Sequence, residues 1–208
     1  MTSIGKDAFG SCHRLISVTI PNSVTSIGES AFCGCSSLIS INIPNSVTSI
    51  EVITFYGCSS LTSITIGNSV TSIGEGAFYG CSKLISVTIG SSIKNIDVSA
   101  FGTCKKLTDV YCYAVNVPNI HSDAFYTGYI TLHVPAESID AYNTAYPWDF
   151  FKEIVALTDS DPKPYATGIN VIRNSEDNKA VIYDLNGVRQ SEPQKGINII
   201  KGKKYVKK

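Results

Sequence analysis

The chain has 208 residues, 43% hydrophobic and 16% charged, enough to bury a sizeable core and too apolar for a wholly disordered polymer. Its 17 basic and 17 acidic residues cancel, which argues against a dedicated nucleic-acid binder. No apolar run approaches the roughly 18–20 residues of a membrane span.

The overall balance conceals an asymmetry. Residues 1–157 carry 7 basic and 11 acidic groups, a net of −4, and residues 158–208 carry 10 and 6, a net of +4. Two modules are therefore expected. The N-terminus, MTSIGKDAFG, starts inside a repeat and has neither the charged start nor the apolar stretch of a signal peptide. It reads as a fragment or a mature form.

Five cysteines, Cys12, Cys35, Cys58, Cys81 and Cys104, follow one another at 23-residue intervals. Phe9, Phe32, Phe55, Phe78 and Phe101 keep the same step, as do the isoleucines from Ile4 to Ile96 and the leucines from Leu15 to Leu107. Several registers sharing one period define a repeat. Within one copy, Leu38, Ile41 and Ile43 form an L-x-x-I-x-I pattern that predicts a strand with Ile41 and Ile43 inward and Asn42 outward. Pro44 ends that strand by withdrawing a donor. Val47 and Ile50 return to the core. GESAFCGC suits a single helical or 3₁₀ turn. One copy cannot bury its apolar side chains alone, but stacked copies can.

The unit S-I-G-x-x-A-F-x-G-C-x-x-L-x-S-V-T-I-P-x-S-V-T resembles the BspA-like leucine-rich repeats of bacterial and some protist surface proteins, over roughly residues 1–155. The resemblance implies a leucine-rich repeat solenoid, with a parallel sheet on one face and short helical turns on the other. The position that often holds a buried Asn in the wider class holds Ser23, Ser46, Ser69 and Ser92 here. Those hydroxyls are expected to satisfy turn backbone groups instead.

Later copies drift. Thr54 replaces the usual Ala, and Glu51 stands where other copies have Gly28 and Gly74. A sixth copy places Ile120, Ala124 and Phe125 in phase after a one-residue slip, with Ile130, Leu132 and Val134 as its strand. Residues 135–157 then look like the end segment of BspA-like arrays. Ile139, Tyr142 and Ala145 have helical spacing, and Trp148, Phe150, Phe151, Ile154 and Leu157 are expected to form an apolar cluster over the last turn. The solenoid with this cap is assigned to residues 1–157.

Residues 158–167, TDSDPKPYAT, read as a polar linker with two prolines. Residues 168–208 read as a small β-hairpin-rich domain. A strand over 180–185 runs into an Asn186-Gly187 turn, and Lys201-Gly202-Lys203 joins a second hairpin. The string VIYDLNGVRQSEPQKGINIIKGKKYVKK resembles the C-terminal domains of secreted Bacteroidetes proteins, including that phylum's sorting domains. The tail lysines Lys201, Lys203, Lys204, Lys207 and Lys208 read as a solvated hairpin end.

The cysteine spacing is wrong for zinc, and stacking would set equivalent side chains parallel and about 4.8 Å apart, a poor disulfide geometry. The cysteines are read as a column of small buried groups. His13, His121 and His133 join no catalytic motif. No catalytic, cofactor or metal residue is assigned, and no enzyme is expected.

The strand's outward residues are a nearly uniform set of Ser and Thr, the face on which leucine-rich repeats generally bind. Asn42, Thr65 and Thr88 lie on it, and Asp109, Tyr111 and Tyr113 break its uniformity. These six are the candidate partner-binding residues. Tyr56, Tyr79 and Tyr126 make a second aromatic row on the turn side. The resemblance implies a secreted or cell-surface adhesion protein, expected to be monomeric, that binds protein or glycan partners on host or bacterial surfaces. A structural spacer in a longer surface protein is the alternative.

Overall fold

Side-chain alternation and period meet directly in the backbone. A computed structural model describes residues 2–164 and, as backbone alone, strands within 182–207. They fall into two units, Met1–Tyr165 and Ala166–Lys208.

In the first unit each copy of the repeat makes one turn of a solenoid. The S-I-x-I segments and their S-V-T-I counterpart form the four-residue strands Ser40–Ile43, Ser63–Ile66 and Ser86–Ile89. Asp109–Cys112, Thr131–Val134 and Glu153–Ala156 continue them into a six-stranded sheet whose paired strands are all parallel. Register follows the repeat, with Ser40 beside Ser63 and Ile41 beside Ile64. Shorter strands, Ser49–Ile50, Ser72–Ile73, Asn95–Ile96 and Asn119–Ile120, make a second parallel sheet. The first copy is looser: Ser17 makes a single bridge to Ser40, Phe9 is only half-buried and Cys12 is exposed.

The third side is built from consecutive turns. The N–H groups of Ala31, Cys33 and Cys35 donate three residues back, to Gly28, Ser30 and Phe32, at 3.2, 2.9 and 3.2 Å. Those of Ser30, Phe32 and Gly34 donate to Val52, Thr54 and Tyr56 in the next copy, at 3.2, 2.9 and 2.7 Å. The expected short turn thus shares its donors between local closure and stacking, satisfying backbone groups that would otherwise be orphaned.

This alternation requires left-handed residues. One column, Asp7, Ser30, Ile53, Gly76 and Ser99, has φ of 55, 57, 48, 56 and 54°. Ile53 is the costly member, because a β-branched side chain crowds its own backbone there. Ile53→Asn should therefore stabilise the unit by about 1 kcal/mol, read as a higher urea midpoint at unchanged slope. A lower midpoint would show that lost Ile53 packing outweighs the relieved strain.

The core is a set of columns. Phe9, Phe32, Phe55, Phe78, Phe101 and Phe125 stack with centroids 5.0, 5.3, 5.2, 5.0 and 4.7 Å apart. Thr54 is fully buried in the Ala column, and its hydroxyl donates to the Glu51 carbonyl at 2.7 Å, so the departure leaves no polar group unpaired. The turn serine acts as expected at Ser46, whose hydroxyl donates to the Val24 carbonyl at 2.6 Å. The preceding asparagines add a ladder: Asn45 Oδ1 accepts from the Asn68 N–H at 2.6 Å, and Asn68 Oδ1 from the Ser91 N–H at 3.1 Å.

Cys35, Cys58, Cys81 and Cys104 are buried, and each thiol reaches the carbonyl of the phenylalanine 26 residues earlier, at 3.1–3.4 Å. Each cysteine is thus a stitch between copies as well as a packing group. Burial pushes the Cys35 thiol up from 9.0 to about 11 and Cys58 to about 12. Burial also raises Cys112 and Tyr142. Folding therefore favours the protonated forms, whereas unfolded thiols ionise near 9.0. Stability should be fully present below that pH and fall as pH rises towards about 11–12. Melting temperatures across this range test it; a flat profile would remove burial of these groups as the controlling effect.

The end segment both covers the core and extends the sheet. Helix Ile139–Thr144 and the 3₁₀ turns Ala136–Ser138 and Trp148–Phe150 lead into the last strand. Tyr142, Trp148 and Phe151 are buried, but Phe150 is 54% exposed. That corrects its expected place in the cluster: it lies on the outer side of a short turn whose neighbours point inward. Ser138 Oγ, Tyr142 Oη and Trp148 Nε1 donate to the carbonyls of Val115, Ala114 and Pro118 at 2.8, 2.9 and 2.7 Å.

In the second unit, Ile182–Tyr183 pairs antiparallel with Arg189–Gln190, and Gly196–Ile200 with Lys203–Lys207. The expected Asn186-Gly187 turn, Lys201, Gly202, Lys208 and the rest of the 180–185 strand lie outside the described residues, as do residues 165–167 of the expected linker.

Candidate binding face

Strand pleating sends every second side chain of the main sheet away from the core. One outward row runs Ser40, Ser63, Ser86, Asp109, Thr131 and Glu153; the next runs Asn42, Thr65, Thr88, Tyr111, His133 and Val155. Exposed Ile39 and Ile85 lie one residue before their strands, and exposed Ile16 one residue before the bridge residue Ser17.

The six candidate residues divide. Asn42 is exposed and Thr65 half-buried, but Thr88 is only 3% exposed. The expectation that Thr88 faces solvent is thereby corrected. It points outward in the pleat but is paired in register with Tyr111, the large side chain of its row. Asn42 and Thr65 share one stretch of the face, and Asp109, Tyr111 and Tyr113 form a separate cluster.

That cluster contains a residue the sequence did not single out. His133 Nε2 lies 3.1 Å from Asp109 Oδ1, and its ring stacks on Tyr111 with centroids 4.3 Å apart. Thr108 Oγ1 donates to Asp109 Oδ2 at 2.8 Å. Both carboxylate oxygens are therefore engaged, and the two rings form a fixed platform. Burial raises the Tyr111 phenol, with Asp109 and Asp161 adding to the effect. Burial also raises Tyr113, to about 12, with Asp161 and Tyr111 contributing.

Asp161 acts here because residues 158–164, expected within a linker, return to the sheet. The Tyr113 hydroxyl donates to the Pro162 carbonyl at 3.1 Å, and Lys163 Nζ lies 5.6 Å from the Tyr113 ring centroid. Pro164 is buried.

On the turn side Tyr56 and Tyr79 stack at 5.2 Å, and Tyr126 meets Tyr129 at 6.2 Å. Tyr126 is thus paired outside the Tyr56–Tyr79 row. Among the described residues, no three His, Cys, Asp or Glu side chains are grouped so as to hold a metal ion. No helix among them is long and apolar enough to cross a membrane.

Six copies of the BspA type leucine rich repeat region match residues 2–131. Among solved structures, a T. pallidum leucine-rich repeat protein is 27% identical, with a TM-score of 0.55, over 76% of this chain and 64% of that one. A Bacteroides ovatus leucine-rich repeat protein is 29% identical, with a TM-score of 0.59, over 74% and 40%. The pneumococcal vaccine antigen PcpA, 21% identical with a TM-score of 0.64 over 76% and 42%, shares the fold. The chain thus spans less than two thirds of each of these structures. No curated protein matches it.

Proposed function

The chain belongs to the BspA type leucine-rich repeat family, and from that premise we propose that it is a non-enzymatic cell-surface or secreted recognition protein. It binds protein or glycan partners on host or bacterial surfaces through the outward face of its main sheet. Leucine-rich repeat proteins commonly bind proteins on such arrays and are generally not enzymes. The observation that carries the reading is the cluster of Asp109, Tyr111, Tyr113 and His133 beside the Ser/Thr-rich part of the face. Aromatic side chains held rigid by neighbours supply contact area at low entropic cost. Asn42 and Thr65 extend the footprint. Weak contacts repeated along the array would add through avidity.

The division into a solenoid to residue 157, a linker and a C-terminal module, and that module's likeness to sorting domains, belong to the same proposal, as does a monomeric state. The test is a binding screen of the full chain against matrix proteins, bacterial cells and glycans. Any partner found should bind about tenfold or more weakly to Tyr111→Ala, the loss typical of a central aromatic contact. A chain that retains no partner in the screen would instead serve as a spacer.

A further inference from the structure

The segment that returns to the sheet is held by its own bonds as well as by the sheet. Thr158 N–H and Oγ1 both donate to Asp161 Oδ2, at 2.6 and 3.0 Å, and Lys163 Nζ donates to the Thr158 carbonyl at 2.8 Å. The Asp161 N–H donates to the Thr158 carbonyl at 3.3 Å, closing a turn, and Pro162 and Pro164 fix their own φ in the stretch that follows.

What Tyr113 recognises in this segment is generic: a backbone carbonyl before a lysine, and the lysine's cation over its ring. Tyr113 itself is held by its N–H bond to the Ile89 carbonyl at 3.0 Å. An aromatic face that accepts a proline-fixed backbone through a ring and a donor is a known physical solution for peptide capture, because little entropy remains to be lost. Another chain with a Pro-Lys-Pro arrangement behind the same turn presents the same atoms.

We infer that the outward face around Tyr111 and Tyr113 is a binding site for a proline-flanked, lysine-bearing peptide, occupied in cis by residues 158–164. The inference rests on the reading of this cluster as a recognition site and names its ligand class. A partner's segment must displace the resident one, whose short tether gives it an effective concentration on the order of millimolar.

The test uses the full chain and a synthetic peptide, TDSDPKPY, blocked at both ends. In one variant residues 158–164 are replaced by a Gly/Ser run of equal length, which removes the resident ligand while leaving the buried cap residues unchanged. That variant should take up one peptide per chain saturably at millimolar concentration, and the unmodified chain should bind about twofold or more weakly. Tyr113→Ala in the replaced background should abolish uptake, as should Lys→Glu in the peptide. Circular dichroism melts confirm that each variant is folded. No saturable uptake by the folded variant, or uptake indifferent to Tyr113, overturns the inference. If partner binding depends on Tyr111 but the peptide does not bind, the recognition reading survives and the ligand class falls. If the peptide binds but no external partner is found, the site is a clamp for the chain's own segment.

Discussion

Phe55→Ala should destabilise the solenoid by about 3–5 kcal/mol, and Phe9→Ala by clearly less. Phe55 is fully buried and stacked between Phe32 at 5.3 Å and Phe78 at 5.2 Å. Phe9 is half-buried, with Phe32 its one stacking partner among the described residues, at 5.0 Å. Truncation at Phe55 opens a cavity between two neighbours that the stitched backbone prevents from collapsing. At Phe9 the loose first copy can relax. In a solenoid, stability is a sum of copy and nearest-neighbour contributions, so the central position should lose more. Urea denaturation followed by circular dichroism measures both, and equal costs would contradict nearest-neighbour stacking.

Trp148→Ala should cost a similar amount, about 3–5 kcal/mol. Its ring is 1% exposed, edge-on to Tyr142 at 5.2 Å and stacked on Phe151 at 5.5 Å. Its indole N–H donates to the carbonyl of buried Pro118 at 2.7 Å. Truncation removes both the packing and the donor. Trp148→Phe keeps most of the ring area but leaves that carbonyl unpaired, which alone costs about 1–3 kcal/mol. The order Ala, Phe, wild type in rising stability is expected. It must be read by circular dichroism, because Trp148 is the chain's single tryptophan. A cost below about 1 kcal/mol for Trp148→Ala would mean that the end segment does not act as a cap.

The fold was legible because one copy's side chains are replicated at a fixed step. A buried Phe or Cys in one copy predicts the same in the next, since parallel pairing puts equivalent residues side by side. What the period could not reveal lies where it breaks. His133 follows Tyr111 by 22 residues, so the slip in the sixth copy hid their pairing. The alternating donors of the turn side were hidden because Ser30 and Ile53 occupy left-handed positions without the glycine that signals them. Thr88 kept its outward alternation but lost its exposure to a neighbour in another copy. The contact of Pro162 and Lys163 with Tyr113 was not legible either, because polar residues and prolines do not show whether an aromatic surface awaits them. For His133, Thr88 and residues 158–164 the missing information is a contact between residues distant in sequence.

Recognition by the outward sheet face is the central claim, and arginine scanning of that face tests it most directly. Asn42 and Ser63 are exposed on it, whereas Glu75 is exposed on the turn side. None of the three is buried, so Asn42→Arg, Ser63→Arg and Glu75→Arg should each change stability by no more than about 0.5 kcal/mol. For a partner captured by the full chain, Asn42→Arg and Ser63→Arg should weaken binding about tenfold or more through steric and charge obstruction, with Glu75→Arg neutral. Loss of binding at Glu75 with retention at Asn42 and Ser63 would contradict the claim and move recognition to the opposite side of the solenoid.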